Sequence, residues 1–293
     1  MADNKRQLRS QSYKLAVEDV SFLLRDELRG VRFALEYQKA EALLRDWGVR
    51  STIIVFGSAR APSREEADAE LKAAGTPALV EQAKLHVRQS RYYEEARLFA
   101  RIASERGGAL TPRDGLRDNV IATGGGPGIM EAANRGAADA GAPSIGYNIS
   151  LPMEQEPNAY STPDLTFRFH YFAMRKMHFA MRANALVVFP GGFGTMDELF
   201  EILTLQQTGK APPMPIVLFD RAYWGRIVNF DALAELGAIG PEDLKLFAFV
   251  DSAEEAWAEL VRRGLQAHTP TPDQPDEPHG AGKRAPPDVK AAP

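Results

Sequence analysis

From Ser51 to Gly264, short apolar runs alternate with amphipathic ones, and this alternation limits the fold more than any other feature of the chain. The runs "STIIVFGS", "NVIATGGG", "SIGYNISL", "ALVVFPGG", "PIVLFD" and "FAFVD" read as strands buried on both faces. Between them, "SRYYEEARLFARIASERGG", "GIMEAANRGAADAG", "AMRKMHFAMRAN", "TMDELFEILTLQQTG", "YWGRIVNFDALAELG" and "SAEEAWAELVRRG" carry helical spacing. A stretch around "LTFRFHYF" leads into the third of these helices. Strands separated by helices in this way make a parallel sheet with helices on both faces. The fold class is α/β, a doubly wound parallel sheet.

Two further zones flank this domain, which spans about 51–265 of the 293 residues. In the first, 1–50, Val17, Val20, Leu23, Leu24, Leu28, Val31, Leu35, Leu43 and Leu44 recur at helical spacing between charged residues. That pattern predicts one long helix from Lys14 to Trp47, or two helices broken near Gly30, docked on the later core or on a partner subunit. The last zone, 266–293, holds seven prolines and almost no apolar side chains, which is the composition of a disordered tail. Within the central domain, residues 61–90 are charged and helix-prone, and read as a helical insertion between the first strand and its helix.

Composition excludes several functions. A net charge of -4 and a pI near 5.8 leave no electrostatic footprint for nucleic acid. With no cysteine there are no disulfides, thiolate zinc sites or cysteine nucleophiles. No apolar run approaches the roughly 20 residues that cross a bilayer. The polar start "MADNKRQLRSQSYK" has no signal-peptide core, so a cytoplasmic protein with no membrane partner is expected.

In open parallel sheets, ligands bind beyond the carboxyl ends of the strands. Three turns at that edge carry glycine: "FGSAR" with Gly57 and Ser58, "TGGGPGIME" with Gly125, Gly126, Gly128, Met130 and Glu131, and "PGGFGTMD" with Gly191, Gly192, Phe193, Gly194, Thr195, Met196 and Asp197. Glycine lets the backbone approach a ligand and leaves N–H groups free for phosphate oxygens. The common nucleotide fingerprints fail, however. G-x-G-x-x-G from Gly124 would need glycine at Ile129, and from Gly126 at Glu131. No acidic residue closes "SIGYNI" to hold a ribose hydroxyl, which argues against NAD. A P-loop would need glycine at Thr204 and Ser or Thr at Ala211.

Glu198 follows Thr195 by three, so the plain expectation is a capping box with Thr195 as N-cap. The glycine loop before it adds a second reading, in which the loop holds a phosphate and Glu198 faces the adjoining ribose. The preceding helix supplies Arg175, Lys176 and Arg182, of which Arg182 stands close enough to the helix end to cap it. His170 and His178 have no acidic cluster beside them, so no metal site is expected, and both read as core or surface histidines.

Taken together, "PGGFGTMDE", "RK" fifteen residues before its proline, and "GGGPGIMEAAN" resemble the LONELY GUY (LOG) family of nucleoside 5′-monophosphate phosphoribohydrolases, often labelled lysine decarboxylases. "LPMEQEPNAY" followed by "FHYFAMRK" is more similar to the bacterial nucleotide nucleosidase branch than to the short plant enzymes. The resemblance covers about Ser51 to Gly264 and implies a Rossmann-like fold that hydrolyses the bond between base and ribose, with AMP or an N6-modified AMP of the cytokinin type as substrate and no cofactor. It implies Glu198 and Arg175 as the catalytic pair, Gly192 to Glu198 as the phosphate and ribose loop, Lys176 beside the arginine, and Thr204 and Glu154 as binding residues. It also implies a homodimer or higher homo-oligomer with the site near the subunit interface. The alternative kept beside it is a non-catalytic nucleotide or cofactor carrier or sensor on the same fold. A pyridoxal decarboxylase is not supported, because Lys176 is the only lysine in these motifs and no partner for the pyridinium nitrogen can be named.

Overall fold

The structure is a computed structural model and describes residues 3–151 and 156–266. The proline-rich segment from 267 onward and Glu154 lie outside the described residues. Seven parallel strands form one sheet in the order β4-β3-β2-β1-β5-β6-β7. These are β1 (Thr52–Phe56), β2 (Val120–Thr123), β3 (Ser144–Ile149), β4 (Thr166–Phe169), β5 (Ala183–Val188), β6 (Ile216–Phe219) and β7 (Phe247–Val250). Each strand alternates its side chains between two cores. Ile54, Phe56, Leu186 and Val188 point to one face, while Ile53, Val55, Ala185 and Val187 point to the other. Because both faces are covered, every residue of β1 and β2 is buried, which is why these strands read as continuous apolar runs.

The helices divide between those two faces. Ahead of β1 come α1 (Lys5–Leu8), α2 (Val20–Leu23) and α3 (Arg29–Asp46); then α4 (Arg64–Ala73) and α5 (Pro77–Arg106), α6 (Ile129–Asp139), α7 (Phe172–Met181), α8 (Phe193–Gln207), α9 (Arg221–Ile227), α10 (Phe230–Glu235) and α11 (Ala253–Arg262). Residues of α5, α6 and α11 fill the core under Ile53 and Val55. Those of α3, α7, α8, α9 and α10 fill the opposite one. The sheet order reverses at β1, whose neighbours β2 and β5 lead their chains to opposite sides, so the loops after β1 and β5 diverge and open a crevice.

The structure sharpens four element readings and corrects one of them. Of the two arrangements expected for Lys14 to Trp47, the broken one is found: the short α2, a 3-10 turn at Asp26–Leu28 and then α3, so the break falls just before Gly30, which lies in the first turn of α3. Residues 61–90 form α4 and the first half of α5, since Pro77 at N1, with Thr76 as N-cap, starts a helix that continues to Arg106. "YWGRIVNFDALAELG" is two helices, because Asn229 caps α10 by accepting from the Ala232 N–H. "LTFRFHYF" contains the edge strand β4, which pairs along β3.

Docking of α3 rests on a buried ion pair. Arg182, at the C-cap of α7, donates from Nη2 to Glu41 Oε1 at 2.7 Å, and both side chains are 6% exposed. Arg182 is thus a structural residue. His178 lies fully buried nearby, stacked on Tyr37 of α3 with ring centroids 5.5 Å apart. Burial, reinforced by the Arg182 charge, lowers its pKa to about 4. A histidine held neutral by the fold favours folding fully above its unfolded value of about 6.5. That contribution is lost as pH falls from there toward the folded value. The expected cost is about 3 kcal/mol between pH 6.5 and 4. Urea unfolding of His178→Leu should show a shallower loss of stability across that window, and an unchanged slope would contradict the assignment.

Candidate active site

Ser58 brings the three glycine turns together. Its N–H donates to Pro190 O at 3.0 Å and its carbonyl accepts from Ile129 N at 3.0 Å, so the turn after β1 is tied to those after β5 and β2. Two glycines make that closeness possible. Gly128 has φ +70°, and a Cβ there would stand 2.3 Å from Ser58 O. A Cβ on Gly191 would stand 2.1 Å from Thr195 Oγ1 and 3.0 Å from Ser58 N. Behind the second turn, buried Asn134 accepts from Thr123 Oγ1 at 2.7 Å and donates to Ser144 Oγ at 2.9 Å. Asn158 donates to Gly125 O from its backbone and to Gly126 O from its side chain, at 2.8 and 3.0 Å.

Between these turns lies a cavity of about 720 Å³, a size that suits a nucleotide. Its walls include Gly57, Ser58, Met130, Arg175, Gly191, Gly192, Phe193, Gly194, Thr195, Met196 and Glu198, all expected from the sequence. Gly125, Gly126, Gly128 and Glu131 do not line it: the first two carbonyls are held by Asn158, Gly128 packs on Ser58, and Glu131 accepts from Tyr93 OH at 2.8 Å. Thr204 is exposed and donates to Phe200 O, two turns along α8 from the cavity. Wall residues that sequence reasoning missed are Phe56, Ala59, Arg60, Gly124, Phe179, Tyr223 and Ile227. The Tyr223 hydroxyl donates to Gly191 O at 2.6 Å. Arg60 could have been found, since it closes the quoted "FGSAR"; Tyr223 and Ile227 come from a helix with no signature residue near them.

The capping box expected at Thr195 is absent. The loop tightens sooner, so α8 begins at Phe193 with Gly192 as N-cap, and Met196 N bonds Gly192 O. Thr195 therefore sits at the third helical position and Glu198 at the sixth, about 9 Å along the axis from the cap. The first N–H groups of a helix have no intrahelical partner, so this end is suited to an anion.

Glu198 is buried and accepts from Arg175 Nη2 at 3.0 Å. Burial pushes its carboxyl above the ordinary 4.5, with Arg175 and Lys176 opposing and Glu201 and Asp197 adding to the rise. Arg175 is seated on rings, its guanidinium carbon 5.2 Å from the Phe172 centroid and 5.8 Å from that of Phe179. Its Nε is buried without a hydrogen-bond partner, leaving a donor for a ligand. Lys176 turns away from the cavity to Asp197 and Glu201, at 2.8 and 3.0 Å. Partial burial opposes its charge, yet these carboxylates hold its pKa above the ordinary value, which does not suit a Schiff-base lysine. Among the described residues, no group of His, Asp and Glu is placed to hold a metal, and no helix is long and apolar enough to cross a membrane.

A doubly wound, Rossmann-like sheet with a glycine-bordered cavity at its switch point defines the class of the protein. A family model described as "possible lysine decarboxylase" matches residues 130–260. A probable cytokinin riboside 5′-monophosphate phosphoribohydrolase of Oryza sativa subsp. japonica is 28% identical over 56% of this chain and 70% of its own length. A cytokinin riboside 5′-monophosphate phosphoribohydrolase of Arabidopsis thaliana is 31% identical over 34% of this chain and 44% of its own. Among solved structures, the molybdenum cofactor binding protein of Rippkaea orientalis aligns at 18% identity over 73% of this chain and 96% of that one, with a TM-score of 0.44. The chain is thus similar, at low identity, to LOG-type phosphoribohydrolases.

Gly191→Ala tests the interlocked loops. The added methyl would meet the Thr195 side chain at 2.1 Å and Ser58 N at 3.0 Å, so urea unfolding should show a loss of about 1–3 kcal/mol. A variant of wild-type stability would mean that the turns are not packed as described.

Proposed function

We propose that the protein hydrolyses the N-glycosidic bond of a nucleoside 5′-monophosphate, giving free base and ribose 5-phosphate, with AMP or an N6-modified AMP as substrate. The observation that carries this reading is the Arg175–Glu198 pair, buried in the wall of the cavity whose rim is the N-terminus of α8. In this reading the 5′-phosphate rests on the free N–H groups of Phe193, Gly194 and Thr195, and the ribose extends along α8 toward Glu198. The kinship with phosphoribohydrolases supports the same assignment.

The chemistry follows from charge. As the C1′–N bond breaks, its electron pair leaves with the base and positive charge develops on the ribosyl ring. A buried carboxylate beside that ring stabilises the charge, by the logic of glycoside hydrolysis. Water adds to C1′, its proton passes to Glu198, and that proton leaves to the departing base. Arg175 cannot be the acid, because guanidinium stays charged. Its role is to fix Glu198 and to donate to the substrate from Nε. The proposal includes a homodimer: Phe193, 93% exposed at the cavity rim, with exposed Phe172 and Met177, offers an apolar surface for a second copy.

Two outcomes are expected. Glu198→Gln should bind AMP with little change while turnover falls by about 10²–10⁴-fold. Wild-type kcat/KM should fall on its acid side at a pH above 4.5, since the ionised carboxylate is required and burial raises its pKa in the free protein. Unchanged turnover in Glu198→Gln, or an acid limb at or below the ordinary carboxylate range, would remove Glu198 from this role.

A further inference from the structure

A second cavity, also of about 720 Å³, lies behind the phosphate loop and shares Ser58, Gly191 and Tyr223 with the first. Three arginines line it, Arg88 and Arg91 from α5 and Arg226 from α9, and no carboxylate does among the described residues. The proposed reaction uses none of them.

The charges are arranged in an informative way. Asp220 holds Arg91, and also accepts from Tyr92 OH at 2.7 Å, so that guanidinium is fixed. Arg88 and Arg226 make no ion pair among the described residues; Arg88 is felt at longer range by Glu81, which is itself paired to Lys84. Arg88 and Arg91 stand three apart on one face of α5 and so repel each other. Three like charges converging on one concavity with a single balancing carboxylate raise the local potential for anions. Guanidinium is the cation whose planar donors match phosphate oxygens in pairs. Beside the arginines, Leu85, Val87 and Pro190 give the cavity an apolar wall. The arginines of α5 lie near the middle of that helix, Arg88 within the charged segment 61–90 and Arg91 just past its end.

We infer that this cavity binds a second phosphate-bearing anion, at the same time as the first cavity holds the substrate. Arg88 and Arg226 supply its free donors and Arg91 a preset one. Its wall at Gly191 is the reverse side of the proposed substrate-phosphate loop, with the Tyr223 hydroxyl bonded to that carbonyl.

Calorimetric titration of the full chain tests this, using Glu198→Gln so that AMP is not consumed. Pyrophosphate should bind the AMP-saturated protein one to one, and Arg88→Gln/Arg226→Gln, both at exposed positions, should weaken it at least tenfold while AMP binding stays unchanged. ATP as a second probe separates the sources: tighter binding than pyrophosphate assigns the site to a nucleotide phosphate, and equal binding to phosphate groups alone. Displacement of pyrophosphate by AMP, equal binding by the double variant, or no binding of either probe to wild-type protein would overturn the inference. Should AMP fail to bind at all, the proposed reaction falls, while the comparison of wild type and double variant in free protein still decides the second site.

Discussion

The backbone of Ser58 is the constraint on which the site depends. One amide donates to the loop after β5 and its carbonyl accepts from the first residue of α6, so three turns from separate strands are held at hydrogen-bond distance. Glycine suits both Gly128 and Gly191 under that arrangement, because a Cβ at the first would stand 2.3 Å from Ser58 O and one at the second 2.1 Å from Thr195 Oγ1 and 3.0 Å from Ser58 N. The sheet order makes the meeting possible: β1 is central, and the loops on its two sides open the crevice that Ser58 partly closes. A glycine crevice built this way needs no lysine and no G-x-G-x-x-G, so the proposed phosphate loop is compatible with the failure of both nucleotide fingerprints.

Charge then sets what the crevice can do. The helices α7 and α8 are latched twice, by Arg175 to Glu198 inside the cavity wall and by Lys176 to Asp197 and Glu201 outside it. The outer pairs are partly solvated and contribute modestly. The inner pair is buried, and its geometry leaves Glu198 both fixed and raised in pKa, a carboxylate available to a ligand rather than dissolved in solvent. On the far side of α7 a second buried pair, Arg182 with Glu41, fastens α3 to the core. The two arginines seven residues apart in "RKMHFAMR" therefore serve different ends, one facing the cavity and one anchoring the amino-terminal segment.

Strand–helix alternation made the sheet legible in the sequence, because doubly buried strands are continuous apolar runs. The glycine turns and the neighbourhood of Glu198 and Arg175 were legible for the same reason that they are built as they are: few residue types allow such close approach. What could not be read was set by tertiary contact. T-x-x-E suggested a cap at Thr195, but the tight turn at Gly191 starts the helix three residues earlier, with Gly192 as its cap. Gly125 and Gly126 turn their carbonyls to Asn158 and Glu131 accepts from Tyr93, so these residues stand outside the cavity wall. Tyr223 and Ile227 arrive from α9, distant in sequence and without a motif, so only the folded chain brings them to the cavity. The charged segment 61–90 gave no sign that its later part continues as the helix covering the sheet.

The central claim is that this crevice breaks a base–ribose bond. Purified protein incubated with a panel of nucleoside 5′-monophosphates, with free base followed by chromatography and the sugar by mass spectrometry, tests it most directly. The account predicts base and ribose 5-phosphate in equal amounts from an adenine monophosphate. Nucleotide that binds yet releases no base from any member of the panel, or that yields nucleoside and orthophosphate instead, would contradict it.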